Sequence, residues 1–550
     1  MTIEDGENLT TGQPSNLEAD LTKPEPIKPN ETPGQPQAQE IAEIEESLIP
    51  HEEDAILENW IRRDLEDSQK RQKRQEPPVA TTQQAAQIQE CFEVCTSVIL
   101  KVSGEQVAGE PGIYISASDK SFSNFGKEQW TRDGSFTAQV ETKLGNFQAV
   151  KAFLAKKLDA QKPDGELPIR HEKMHHTRRM APGFRTLKTL GLDLLTREEF
   201  APVYGSGKRI SQTDSRDTAP IFTLAFCEYA ENSQDNEFTK KYYQQVYKVL
   251  DREFRLFSDP QDSMIVGKKG LEDWEDSILR DGKLANVNIL MYAAVFRFAK
   301  LSKKLRKKEE EKTYVHRTGH YREEAKKLGD LSEKIKQSIM SELWDEEKGH
   351  FIARPEDDRF DTTANIFASL YLLNPAKRED RDKMVRIQDA IHRKVETPYG
   401  LRNFDRPYPH SMMALGHKYG GILDYHNTGL WPWVWGYNIV AKGRLLAHMR
   451  DEDEQETRNQ LKQEVIDDLV GMAELFEISG KSYEVYFGTG QKIGQPMKGK
   501  FIGATVYRSE PNFAGSAASF LLAAYTAERL GLFPTLPKTV TDQKGNKVPY

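Results

Sequence analysis

Long apolar runs are missing from this 550-residue chain, in which no stretch approaches 18 uninterrupted apolar residues, so no membrane-spanning helix is expected. The N-terminus, Met-Thr-Ile-Glu-Asp, also lacks the basic start and apolar core of a signal peptide. Cysteine is scarce. Cys91, Cys95 and Cys227 make an odd set, two of them four apart within an apolar helical pattern. That excludes an even disulfide framework and favours a reduced, cytoplasmic setting. Basic excess is absent as well: the formal charge is -8, which argues against a nucleic-acid binder. The one lysine-rich run, Lys300 to Lys312, is interleaved with Glu309, Glu310 and Glu311 and reads as a solvated helix face. Finally, period-two alternation is rare, which leaves little room for half-buried sheet.

What is present divides the chain in two. Residues 1–83 are rich in Glu, Gln, Pro, Asn and Thr and poor in aromatics, the composition of a disordered leader. Within it, Ile41 to Asp67 carries enough apolar periodicity for a short amphipathic helix, which could dock on a partner or on the body. Residues 84–550 form one domain, a succession of helix-length apolar periodicities. Helices are expected near 86–101, 135–157, 183–193, 217–232, 238–257, 284–302, 319–341, 361–373, 384–394, 428–447, 455–478 and 512–531. The chemically distinctive residues fall in the Gly/Pro/aromatic loops between them. An all-α fold of six helical hairpins closed into a barrel, an (α/α)6 toroid, fits this pattern. Loops at one end of such a frame converge on one cavity.

Two segments carry the strongest chemical signal. In Gly270-Leu271-Glu272-Asp273-Trp274-Glu275-Asp276 four carboxylates crowd one Trp, and in Tyr483-Glu484-Val485-Tyr486 one carboxylate lies among phenols. Crowding and an apolar wall raise a carboxyl pKa, whereas hydrogen bonds from phenols keep a carboxylate ionised. That is the pairing a glycosidase needs, an acid for the leaving oxygen and a base for water. Trp130-Thr131-Arg132-Asp133 offers a stacking face for a pyranose and fixed polar groups for vicinal hydroxyls, although Asp133 serves equally as a helix cap. Asp217 opens a helix and has the same two readings. Asn286 and Asn288 could reach the same cavity. His426 and Asn427 precede Trp431-Pro432-Trp433, the composition of a sugar-binding wall as well as of a core. His171, His175 and His176 have helical spacing for zinc but lack a third ligand or an activating Glu, so a substrate-facing or solvent-exposed loop is favoured over a metal site.

In their order and spacing, from about Ala85 to Leu532, these residues resemble the six-hairpin glycoside hydrolases: glucoamylase, the amylo-α-1,6-glucosidase domain of glycogen debranching enzymes, and neutral/alkaline invertases. Trp130 to Asp133 is similar to the subsite motif that grips the non-reducing glucose. Trp274-Glu275-Asp276, followed by Gly282-Lys283, resembles the debranching segment in which the Asp is the general acid, which selects Asp276. The glucoamylase pattern selects Glu275 instead. Thr397 to Arg402 and Tyr425 to Trp433 are similar to two substrate-binding loops, which implies sugar contacts for Arg402, His426, Asn427 and Trp431. The Glu484 loop looks like that of the general base. The resemblance thus implies an inverting, exo-acting α-glucosidase with a carbohydrate partner, neither metal nor cofactor, and carboxyls about 6.5 to 9.5 Å apart.

Two departures stand out. Glu510-Pro511-Asn512-Phe513-Ala514-Gly515-Ser516 stands where the family usually shows Gln-Ala-Trp-Ser before the last helix, and the residues before Trp130 are too few for the large N-terminal domain of debranching enzymes. A small α-glucoside, sucrose included, therefore stays open as substrate. So do an epimerase working through paired histidines and a non-catalytic glycan-binding protein on the same barrel.

Overall fold

The computed structural model describes residues 80–104, 128–175, 198–205, 215–270, 273–310, 319–501, 504–534, 536, 539–541 and 547–549. The leader with its expected amphipathic helix, the expected helix over 183–193, His176 and Glu272 lie outside the described residues. Among the described residues twelve helices carry the fold: α1 (Thr82–Gly104), α2 (Thr131–Lys143), α3 (Phe147–Asp159), α4 (Thr218–Asn232), α5 (Asn236–Phe257), α6 (Ala285–Glu310), α7 (Gly319–Glu342), α8 (Thr362–Phe367), α9 (Arg378–Lys394), α10 (Pro432–Leu446), α11 (Gln455–Ser479) and α12 (Ala514–Arg529). A short helix, Leu415–Tyr419, and several two- and three-stranded antiparallel sheets decorate the loops.

The even-numbered helices touch in a closed cycle, α2 to α4, α6, α8, α10, α12 and back to α2. The odd-numbered ones form an outer layer, with α1 on α12, α3 on α2, α5 on α4, α7 on α6, α9 on α10, and α11 on α10 and α12. The fold is the all-α six-hairpin toroid. Its two layers follow from two kinds of sequence. Helix α5 buries a stripe of Phe238, Tyr242, Val246, Val249 and Leu250 and exposes Lys240, Lys241 and Gln244, the one-sided pattern of an outer helix. Helices α10 and α12 are apolar or small on nearly every side, as an inner ring buried between neighbours requires. Gly436 and Gly443 let the two close: a Cβ on Gly436 would lie 2.7 Å from the Cβ of Ser519, and one on Gly443 2.2 Å from Thr526 Cγ2.

One expected element divides. The periodicity over 135–157 reads as a single helix, yet the chain breaks it into α2 and α3 at Gly145, whose φ is +79°. The Asn146 N–H reaches back to Glu141 O (2.9 Å) and the Gly145 N–H to Thr142 O (3.1 Å), a Schellman cap closed by a left-handed glycine. Another boundary is blurred: α8 runs on as a π-helix over Ala368–Leu372. Among the described residues no helix is long and apolar enough to cross a membrane. All three cysteines are free and buried.

Candidate active site

The loops that enter α2, α10 and α12 converge on a cavity of about 250 Å³. Its rim and upper wall hold Trp130, Arg132, Asp133, Trp274, Asp276, His417, Tyr425, His426, Trp431 and Glu484, while Phe136, Val140, Tyr437, Ala518 and Ser519 line it further along the inner helices. The charged and hydrogen-bonding groups are thus concentrated at the N-terminal ends of the helices.

Trp274 anchors the acidic loop. Its ring meets Trp431, Trp433 and His426 edge to face, at centroid distances of 5.4, 4.6 and 5.2 Å. This fixes the two carboxylates that follow it in opposite environments. Glu275 is fully buried beneath the cavity wall, where it and Asp273 accept from Arg280, and it does not line the cavity. Arg280 also faces Asp361 at 3.6 Å and lies over the rings of Phe404 and Tyr408. Asp276 lines the cavity, with Oδ2 3.7 Å from Arg132 Nη2 and Oδ1 3.7 Å from His426 Nδ1. Burial pushes its carboxyl up to about 7. Arg132 pulls it down, and Asp273, Asp217 and Asp133 push it further up.

His426 stacks on Trp431 at 4.8 Å and accepts at Nδ1 from the Ser277 N–H (3.2 Å). Burial holds it well below the usual histidine range, so it is neutral with its proton on Nε2. Nδ1 therefore has no proton to donate to Asp276.

Glu484 stands elsewhere in the same cavity wall. Its Oε1 accepts from the Tyr425 hydroxyl (2.6 Å) and its Oε2 from the Tyr507 hydroxyl (2.8 Å). The sequence leads one to expect phenols to hold this carboxylate ionised. Both phenols do lower its pKa, but burial is larger and pushes it up to about 8, with Glu510 and Asp133 adding to the rise.

Arg132 is held by Ser215 Oγ (3.4 Å), the Asp273 carbonyl (3.3 Å) and Asp217 Oδ1 (3.9 Å). Asp217 does not line the cavity. It is 1% exposed, accepts from Ser215, and acts on the cavity through Arg132. Two more residues with implied sugar contacts serve the backbone instead. Arg402 donates from Nη2 to Lys394 O (2.8 Å), satisfying the C-terminal end of α9, and does not line the cavity. The Asn427 amide pairs with Tyr408, accepting from its N–H (2.6 Å) and donating to its carbonyl (2.9 Å), and is fully buried. Asn286 binds Asp273 Oδ2 (2.7 Å) and Asn288 binds Ile265, so neither reaches the cavity.

His171 is buried against Lys157 Nζ (2.9 Å), and Lys157 also donates to Gln129 O (2.6 Å) beneath the strand that carries Trp130. Among the described residues no three His, Cys, Asp or Glu side chains are grouped to hold a metal.

Several wall residues escape the sequence reading. Tyr507 lies on the hairpin Lys498–Phe501/Ala504–Arg508, 23 positions from the carboxylate it touches, and no spacing signals that contact. His417 sits on the short helix after Met413. The segment that departs from the family pattern supplies Phe513 and Gly515.

A family model described as amylo-alpha-1,6-glucosidase matches residues 205–487, just over half of the chain. No curated protein matches. Solved structures share the fold. A glycosidase variant in complex with glucose aligns at 13% identity over 83% of this chain and 100% of its own, with a TM-score of 0.51. A second glycosidase variant aligns at 12% over the same shares, also at 0.51. A rhamnosidase from Klebsiella oxytoca with rhamnose bound aligns at 12% over 82% of this chain and 65% of its own, at 0.49. At 12 and 13% identity the two glycosidase alignments show a likeness of fold alone. The sequence match over the segment that holds Asp276, His426 and Glu484 identifies the chain as a member of the amylo-alpha-1,6-glucosidase family and a glycoside hydrolase.

Proposed function

We propose that this glycoside hydrolase is an inverting, exo-acting α-glucosidase, with Asp276 as general acid and Glu484 as general base. One observation carries the reading: these two carboxyls line one cavity walled by Trp130, Trp274 and Trp431, while Glu275 is turned away onto Arg280. Trp130 and Trp431 offer apolar faces to the pyranose ring, and Arg132, Asp133 and His426 bind its hydroxyls. The protonated Asp276 gives its proton to the glycosidic oxygen as the C1–O bond breaks. Glu484 takes a proton from the water that forms the new bond at C1 from the opposite face. The turnover ends with Asp276 ionised and Glu484 protonated, and exchange with solvent resets both. His417 and His426 also share the cavity, their ring centroids 6.3 Å apart, but they share it with both carboxyls, which favours hydrolysis.

A panel of maltose, isomaltose, panose, trehalose and sucrose, assayed for released glucose with wild type and Asp276→Asn, tests the reading. Glucose release from one linkage, abolished in the variant, is the expected result. Release that survives the substitution contradicts the role of Asp276, and no release from any of the five contradicts the α-glucosidase assignment.

A further inference from the structure

Glu484 is the only member of the cavity wall with a phenol on each carboxylate oxygen, among the described residues. The two phenols come from different places. Tyr425 is fixed from within the wall: its ring packs edge-on to Trp431 (4.9 Å) and His426 (4.5 Å), and its carbonyl accepts from Trp431 Nε1 (2.9 Å). Tyr507 arrives on a separate hairpin, and its ring meets Tyr425 edge to face at 5.5 Å.

Backbone contact locks that hairpin in place. A Cβ on Gly499 would lie 1.9 Å from Gly420 O, and one on Gly421, where φ is +64°, would lie 2.2 Å from Lys500 O. No side chain fits between the two strands of contact. The segment they press against leads in turn to the acid: Leu279 N–H donates to Met412 O (2.8 Å) and Ala414 N–H to Ser277 O (2.8 Å). One stretch, Met412 to Gly421, therefore joins the loop of Asp276 to the hairpin of Tyr507.

We propose that Tyr507, delivered by the Lys498–Arg508 hairpin, acts with Tyr425 as a positioning residue that clamps the Glu484 carboxylate in one plane and leaves one lone pair on each oxygen free for the attacking water. The proposal rests on Glu484 being the base. An ionised carboxylate accepts strongly from both phenols at once, whereas a protonated one is a weaker acceptor and obliges one phenol to turn its own hydrogen away to receive the acid proton. Holding both phenols thus favours the ionised form that removes a proton from water.

The test is Tyr507→Phe, which keeps the ring and deletes only the hydroxyl, with Glu484→Gln as reference. The expected result is a fall in kcat of about tenfold, with KM within about twofold. The lost hydrogen bond to a charged group favours protonation of Glu484, the carboxyl of the pair that titrates at the higher pH (about 8 against about 7 for Asp276), so the basic limb of the pH profile should move up by about one unit. Tyr425→Phe should move the same limb in the same direction. Gly499→Ala, which drives the hairpin off Gly420, should reproduce the shift with both phenols intact. An unchanged limb in Tyr507→Phe, or a lower kcat without any shift, overturns the clamp. If Glu484→Gln keeps wild-type turnover, the base assignment itself fails, and the clamp with it. An inactive Glu484→Gln beside a Tyr507→Phe enzyme of unchanged rate and profile rejects the clamp alone.

Discussion

The proposed acid side and base side of the cavity achieve similar ends with different materials. Asp276 is half-buried and faces a guanidinium and a neutral imidazole, each 3.7 Å away. Glu484 is 1% exposed and faces two phenols at hydrogen-bond distance. Burial lifts both carboxyls far above their ordinary range, to about 7 and about 8. A long-range cation restrains the first and short neutral donors restrain the second. What the contrast teaches is that the proton each group holds is decided by its wall. It also follows that the productive pair, Asp276 protonated with Glu484 ionised, is a minor form of the empty site at every pH.

The largest effect that separates the two sides is loss of the carboxyls themselves. Asp276→Asn and Glu484→Gln should each lower kcat/KM by on the order of 10² to 10⁴-fold. Only the acid variant should recover with an activated aryl leaving group, which needs no proton. Steady-state kinetics on a nitrophenyl glucoside beside a disaccharide measures this, and equal recovery of both variants breaks the comparison.

A smaller effect should come from Arg132→Met, which removes the proposed sugar contact and the cation that restrains Asp276. A fall of about tenfold to a hundredfold in kcat/KM is expected for a lost charged contact worth ~1.5–3 kcal/mol. Asp276 then stays protonated to higher pH, and because it is the carboxyl that titrates first, the acid limb near pH 7 should move up while the basic limb near pH 8 stays in place. Movement of the basic limb would instead place the cation on the base side.

The wild-type kcat/KM profile should be a bell centred midway between the two carboxyls, at about pH 7.5, with flanks near 7 and 8. An optimum near pH 5 would show that solvent reaches and relaxes these groups in solution.

The smallest effect concerns stability. Asp276 and Glu484 have folded pKa values raised above those of the unfolded chain, from 3.8 to about 7 and from 4.5 to about 8. The folded state therefore holds its protons more tightly, and stability falls as pH rises from about 4 through 8. At pH 8, Asp276→Asn and Glu484→Gln should each raise Tm by roughly one to three degrees. The gain should vanish at about pH 3, below both unfolded values, where the carboxyl is largely protonated in both states. Calorimetry at the two pH values decides it.

Much of the frame was legible because amphipathic period and helix length survive in any context. The sequence shows α5 and α10 alike as helix-length apolar periods; their places in the outer and inner layers come from their packing. The break at Gly145 was not legible, since the apolar period continues across it and only the left-handed backbone stops the helix. In the site, Trp130, Arg132 and Asp133 could be read together because consecutive residues at one helix start share a location. Asp217, Arg402 and Asn427 carry equally suggestive side chains. A sequence does not reveal whether a loop side chain turns toward a cavity or toward a backbone that lacks a partner. For Arg402 the end of α9 took it, and for Asn427 the Tyr408 peptide did. Between Glu275 and Asp276, adjacent residues of the same charge, Arg280 decided by claiming the first. Tyr507 had no local sign at all, because its meaning depends on a hairpin packed by bare glycine contacts.

The central claim is that two separated carboxyls carry out a single displacement with water between them. A proton NMR time course of the wild-type enzyme on the disaccharide it cleaves best, read before mutarotation, tests this most directly. β-Glucose as the first product is the result the account predicts. α-Glucose as the first product would mean retention, a covalent intermediate on one carboxyl, and a different role for Glu484.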